Sequence, residues 1–166
     1  MKNKRMAAVG IVVLVLLTAS LAQKAQHLLS TDELKTTVPA EFFFRGQKAS
    51  TQLRNSGGFQ REDGKVTIAA LVDVSGYSTS IQQKYQGLLI TESKLNIGGS
   101  ELAPGEYGFG FTGDKFVVMN VASEDVLGAP YQTDAELKRP VPLNLVQDGA
   151  AYKLYAGKKW IALKPE

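Results

Sequence analysis

From Ala40 to the C-terminus, apolar residues alternate with polar ones in short runs, and glycine-bearing pairs separate the runs. A period of two is the mark of half-buried strands, whose successive side chains point to opposite faces. The segment 105–121, GEYGFGFTGDKFVVMNV, shows the pattern best. A two-residue turn at Gly113-Asp114 suits a type II′ loop, because glycine takes the positive φ required at its first position. Folding the chain about that turn pairs Thr112 with Lys115, Phe111 with Phe116, Phe109 with Val118 and Tyr107 with Asn120. Cross-strand partners share a face, so Tyr107, Phe109, Phe111, Phe116 and Val118 form one apolar surface. Gly108, Gly110, Val117 and Met119 fall on the other.

The same construction predicts three more hairpins. Asp63-Gly64 joins GGFQRE to KVTIAALVD, pairing Glu62 with Lys65 and Phe59 with Ile68. Asp148-Gly149 joins PLNLVQ to AAYKLYA, pairing Leu145 with Tyr152 and Leu143 with Leu154. Gly157-Lys158 joins that strand to KWIALK, pairing Tyr155 with Trp160. Further strands are predicted over 42–53, broken near Gly46, over 84–91 and over 94–97. Between Ser123 and Pro142 the alternation fails. Thr133 and Glu136 have capping-box spacing there, which predicts a loop carrying one short helix that stops at Pro140.

One other helix is predicted, over 23–37. Leu28, Leu29 and Leu34 share part of a face, Ser30 and Glu33 make a capping box, and Pro39 ends the segment. The fold class is therefore all-β: a single antiparallel barrel or sandwich built from hairpins, with a short N-terminal helix. The barrel is favoured, because alternate glycines relieve crowding where a sheet curls. An outer-membrane barrel is disfavoured. Spanning strands need ~9–11 residues, most strands here are shorter, and the chain ends on Lys164-Pro165-Glu166 with no terminal aromatic.

The N-terminus changes the picture. Lys2, Lys4 and Arg5 precede an apolar run from Met6 to Leu17, and small residues follow, with Ser20 and Ala22 where a signal peptidase prefers them. This layout predicts an export signal cleaved after Ala22. The apolar run falls short of the ~20 residues of a spanning helix, so no stable membrane span is expected after cleavage. The organisation is then a signal peptide at 1–22, an N-terminal helix and linker at 23–38, and an antiparallel β domain at 39–166. The chain has no cysteine, which rules out disulfides and a lipid-anchored version of the signal. A cysteine-free exported protein fits a bacterial periplasm or exterior better than a disulfide-stapled scaffold.

Charge and side-chain chemistry narrow the function. Of 19 basic and 16 acidic residues, three basic and no acidic ones lie in the signal, so the mature chain is balanced at 16 of each. No concentrated positive charge remains to grip phosphate backbones, so nucleic acid is not an expected partner. With no cysteine and a single histidine, His27, thiol catalysis, thiolate metal sites and a multi-histidine zinc site are excluded. GFGF is strand alternation, since a dinucleotide fingerprint must open a helix. No cofactor is implied. Asp73, Glu92, Glu101 and Glu106 are the candidates for paired-carboxylate work such as glycoside hydrolysis, and nothing in the sequence brings two of them together.

The stretch DVSGYS at 73–78 resembles the Asp-x-Ser-x-Ser opening of von Willebrand type A domains, where an acid and two hydroxyls hold a divalent cation. Tyr77 stands where the second hydroxyl belongs and Ser78 comes one residue late. Those domains also alternate parallel strands with helices, and two-residue hairpins leave no room for such crossovers. Asp73 and Ser75 are better explained as turn formers whose side chains bond nearby backbone amides. A broader likeness rests on RNSGG at 54–58, ALVDVSGYS at 70–78, LAPGEYGFGF at 102–111 and FVVMNV at 116–121. Together these resemble a family of exported, β-rich bacterial proteins of unassigned activity. The resemblance implies fold and compartment and carries no catalytic residues.

The function these readings imply is a non-catalytic binding or structural module of the bacterial envelope, periplasmic or secreted, with an unknown ligand or envelope protein as partner. Arg54, Asn55, Asp73, Tyr77 and Tyr85 are its candidate ligand-binding residues, polar and aromatic groups expected on loops at one sheet end. A carboxylate-dependent hydrolase acting on carbohydrate is the first alternative. The second is a hydrophobic-ligand carrier whose cavity is lined by Tyr107, Phe109 and Phe111. Trp160 is assigned to the core or a sheet edge.

Overall fold

The computed structural model describes residues 25–166. The signal peptide predicted at 1–22 and the first residues of the helix predicted over 23–37 lie outside that range. Among the described residues the chain forms two antiparallel sheets and two short helices, with no closed barrel, so the architecture is a sandwich. No helix of the described residues is long and apolar enough to cross a membrane.

The larger sheet holds eight strands. They are β1 (His27–Leu28), β2 (Glu41–Phe44), β3 (Gln47–Gln60), β4 (Val66–Val72), β5 (Gly87–Thr91), β8 (Gly105–Thr112), β9 (Lys115–Met119) and β10 (Asp125–Pro130). The order across the sheet is β1-β3-β4-β5-β8-β9-β10, with β2 folded back on β3. The smaller sheet holds six, ordered β12-β13-β14-β6-β7, with β11 against β14. These are β6 (Leu95–Ile97), β7 (Ser100–Leu102), β11 (Gln132–Thr133), β12 (Asn144–Asp148), β13 (Ala151–Ala156) and β14 (Lys159–Pro165).

The larger sheet is buried on both faces. One face meets the smaller sheet across a core that includes Phe59, Leu89, Phe109, Phe116, Val118, Leu145, Tyr152, Leu154, Ile161 and Leu163. The other carries Ile68, Ala70, Val72, Leu88, Val117 and Met119, and packs under Val38, Phe42, Phe44, Tyr77, Ile81 and Tyr85. That second core explains why β4 and β5 have apolar residues at successive positions, as strands buried on both faces do. Each fully buried aromatic or leucine contributes about 1.5–3 kcal/mol. Phe59 and Tyr152 clasp the two sheets face to face, their centroids 3.7 Å apart and their planes 3° from parallel.

Gly108 and Gly110 serve this second core, not barrel curvature. A Cβ on Gly108 would meet the Phe44 ring at 2.5 Å, and one on Gly110 would meet the Lys84 carbonyl oxygen at 2.0 Å. The glycines let the covering layer lie directly on the sheet backbone. The same layer absorbs residues expected elsewhere. Strand β5 starts at Gly87, because Thr79–Gln82 forms α2 and places Ile81 on the core.

Two of the four hairpins keep the register expected of them. Phe111 pairs with Phe116 and Phe109 with Val118 about Gly113, whose φ is +53°. Beyond them Tyr107 is aligned with Leu89 of β5. Tyr155 pairs with Trp160. At Asp63-Gly64 the register moves by one: Phe59 faces Thr67, and Gly58 faces Ile68. The loop there has three residues, closed by the Gly64 N–H donating to the Arg61 carbonyl, with Gly64 at φ +85°. At Asp148-Gly149 the register moves by two: Leu145 faces Leu154, and Asp148 pairs with Ala151 across Gly149-Ala150. A shift of two leaves every side chain on its expected face.

The 42–53 strand breaks at Arg45-Gly46 into the β2–β3 hairpin, both turn residues having positive φ. The helix predicted over 23–37 is shorter. His27 and Leu28 pair with Gln60 and Phe59 at the sheet edge, and α1 runs from Thr31 to Thr37 with the Ser30–Glu33 capping box formed. The helix predicted near Thr133 does not form. Thr133 belongs to β11, and Asp134 Oδ1 accepts from the Glu136 and Leu137 amides in a turn. Pairing of Gln132 and Thr133 with Trp160 and Lys159 commits the would-be cap to a strand, and Asp134 closes a turn in its place.

Two outcomes follow. Gly110→Ala loses about 3 kcal/mol or more in urea unfolding, since backbone is what the new methyl meets; Gly128→Ala, with its nearest neighbour at 3.9 Å, changes little. Glu33 is held down to about 2 by the Ser30 backbone N–H, then the Ser30 hydroxyl and His27. A depressed carboxyl stabilises the fold above its unfolded value of 4.5 and loses that contribution as pH falls toward 2. Acid unfolding of Glu33→Gln is therefore less steep between those pH values than that of the native chain.

Candidate functional site

The five residues singled out from the sequence do not form one surface. Tyr77 and Tyr85 are inside the second core. The Tyr77 hydroxyl donates to the carbonyls of Phe44 and Gln47. Tyr85 is fully buried and stacks on Phe44 at 3.9 Å. Its hydroxyl has no hydrogen-bond partner, and burial pushes it far above the usual phenol range. Asp73 is exposed, and its Oδ1 accepts from the Ser75 amide at 3.0 Å. That bond holds its carboxyl below the usual range and makes Asp73 a turn former. Arg54 and Asn55 lie in the part of β3 that bulges away from β4, between the Thr51–Val72 and Ser56–Ala70 pairs. The Asn55 carboxamide donates to Gln52 Oε1 at 2.8 Å.

Of the candidate acids, Glu92 and Glu101 have structural partners as Asp73 does. Glu92 Oε2 accepts from the Val66 amide at 2.8 Å, and Glu101 pairs with Lys94 at 2.7 Å. Among the described residues no group of three or more histidines and acids is placed to hold a metal ion. Phe109, Phe111 and Phe116 interlock at centroid distances of 5.0–6.5 Å, and Phe109 and Phe111 are both buried. They are packed as core.

The outward face of the smaller sheet is different. There, cross-strand pairing sets Asn144, Tyr155, Trp160 and Gln132 in one row over β12, β13, β14 and β11. Tyr155 and Trp160 are half-buried, with centroids 6.2 Å apart. Lys153 Nζ stands 4.6 Å over the Trp160 ring and 2.9 Å from Asp148. Sequence reasoning paired Tyr155 with Trp160 correctly and assigned Trp160 to core or edge. The clue to their exposure was available: Tyr152 and Leu154 take the inward positions of β13, so Tyr155 faces out.

Beside this row the loop 134–143 raises a wall. Its apolar residues Leu137 and Val141, with Val146, Gly157 and the Tyr155 ring, enclose a hollow of about 260 Å³; Arg139 and Asn144 supply its polar lining. The wall is tied down. The Gly157 amide donates to the Val141 carbonyl, the Asp134 amide to the Lys158 carbonyl, and Lys158 Nζ to the Ala135 carbonyl. Asp134 closes the loop from within, its Oδ2 accepting from the Tyr155 hydroxyl at 3.3 Å. Burial, and after it the Asp134 charge, pushes the Tyr155 phenol above its usual range. The hollow is thus largely pre-formed, as small-ligand sites usually are.

Comparison with family models, with curated proteins and with solved structures gives no match.

Asp134→Ala removes the acceptor for two loop amides. Hydrogen exchange at Glu136 and Leu137 then speeds up, and global stability drops by about 1–3 kcal/mol, the range for a few lost hydrogen bonds.

Proposed function

We propose that this protein is an exported, non-catalytic binding module of the bacterial envelope, and that it binds through the outward face of its smaller sheet. The observation that carries the reading is the pinned hollow next to Tyr155 and Trp160. Both faces of the larger sheet are committed to cores. Among the described residues, the smaller sheet's outer face is where aromatic rings, carboxamides and cations stand together within reach of solvent.

The structural work done by Asp73, Glu92 and Glu101 favours binding over carboxylate hydrolysis. Export rests on the N-terminal pattern of basic, apolar and small residues.

Cell fractionation is expected to recover the protein from periplasm or medium with Gln23 as its first residue. Retention in the cytosol overturns export. The exported protein is then screened against arrays of glycans, lipids and envelope proteins. A specific ligand is expected whose affinity drops about tenfold or more in Tyr155→Ala, with the circular dichroism unchanged. Glycoside or ester hydrolysis that disappears in Asp73→Asn overturns the non-catalytic reading.

A further inference from the structure

We propose that the hollow beside β12 takes a small amphiphilic carboxylic acid, with its carboxylate on Arg139 and Asn144 and its apolar body against Val141, Val146 and the Tyr155 ring. The proposal rests on the binding-module reading and adds the chemical class of the ligand.

The apolar half comes from exposure in the wrong place. Val141 and Val146 are 46% and 40% exposed, and both line this one hollow. An apolar body laid there removes from water the surface the fold left uncovered. The volume, about 260 Å³, is just under the ~300–1,000 Å³ of sites for drug-sized ligands. A small molecule fits it better than a polymer.

The charged half comes from what the neighbouring groups already hold. Asp134 has both carboxylate oxygens engaged, by the Glu136 and Leu137 amides and by the Tyr155 hydroxyl. Lys153 is paired with Asp148, and Lys158 donates to a carbonyl. Glu136 and Lys138, on the same loop as Arg139, are exposed and are not among the residues that line the hollow. Among the described residues neither Arg139 nor the Asn144 carboxamide has a hydrogen-bond or ion-pair partner, so the hollow keeps an unspent cation and an unspent amide. A guanidinium fork matches a carboxylate in two parallel bonds. A pyranose is the weaker occupant, because Lys153 already covers a face of the Trp160 ring on which a sugar would stack.

The test uses the exported protein, uniformly labelled with nitrogen-15, and three probes of equal chain length: octanoate, octan-1-ol and octyl phosphate. Octanoate is expected to shift the amides of the non-proline residues in 137–146 and of 155–157 saturably, and octanol to bind about tenfold more weakly, the usual worth of a charge-assisted bond. Arg139→Ala is expected to bring octanoate down to the octanol value, while Arg139→Lys restores part of the difference. Equal binding of octanoate and octanol, or tighter binding of octyl phosphate, overturns the carboxylate assignment. Shifts confined to other residues, or none at all, overturn the site. In either case a glycan or envelope protein found in the screen leaves the binding-module reading intact. Val146→Asp, which puts an acid in the hollow at a partly exposed strand position, is expected to abolish octanoate binding while the protein stays folded, at no more than a small cost in strand propensity. Unchanged binding in that variant also counts against the site.

Discussion

The architecture depends on one constraint: the larger sheet must be covered on both faces. Its central strands put apolar side chains up and down, so neither face can be left in water without losing on the order of 1.5–3 kcal/mol per large residue. The smaller sheet covers one face. The N-terminal arm, the β2–β3 hairpin and the α2 segment cover the other. Glycines at 108 and 110 are the local consequence, because the second cover sits too close for any side chain. The stacked pairs Phe59–Tyr152 and Phe44–Tyr85 lie in the two resulting cores, one pair in each.

That commitment decides which aromatic and polar groups reach solvent. Tyr77 and Tyr85, which the chain places beside a polar turn, are drawn into the second cover, where aromatic area is worth more than loop exposure. Asp73 is left outside as the turn that returns the chain to the cover. The smaller sheet is packed on one face alone. Its other face is free to carry Tyr155, Trp160, Lys153 and the loop that walls the hollow. The loop contains Pro140 and Pro142 and little secondary structure, and it is nevertheless pinned by backbone bonds and by Asp134. Rigid walls of this kind spare a ligand part of the ordering cost of binding.

The hairpins differ in how much of them could be read. Strand β8 alternates glycine with aromatics, and a one-residue slip about Gly113 would have put rings opposite the Lys84 backbone; its register follows from pattern alone. Strand β4, VTIAALV, is apolar on both faces, so alternation says nothing about register there. The three-residue Gly64 loop then sets it one step from the expected pairing. Strand β10 falls in the stretch 123–142, where the alternation fails and the pattern predicts loop, and it contains Gly128 and Pro130. Both are tolerated at a sheet edge, where Leu127 and Ala129 still reach the core. The hollow was not legible at all, since it joins residues 137–141 to 144–146 and 155–157 through a turn that resembled a helix start.

By itself the sequence determined the class of fold, the turn positions near Gly113 and Gly157, the α1 cap at Ser30, and the absence of thiol and multi-histidine chemistry. These are local or compositional properties, set by backbone preferences and by which side chains exist. Tertiary structure alone decided sandwich over barrel, which aromatics are core and which face water, and that the loop 134–143 walls a hollow beside Tyr155. Those depend on which sheet covers which face, and pairing segments far apart in the chain is a matter of total buried area that no short window of residues contains.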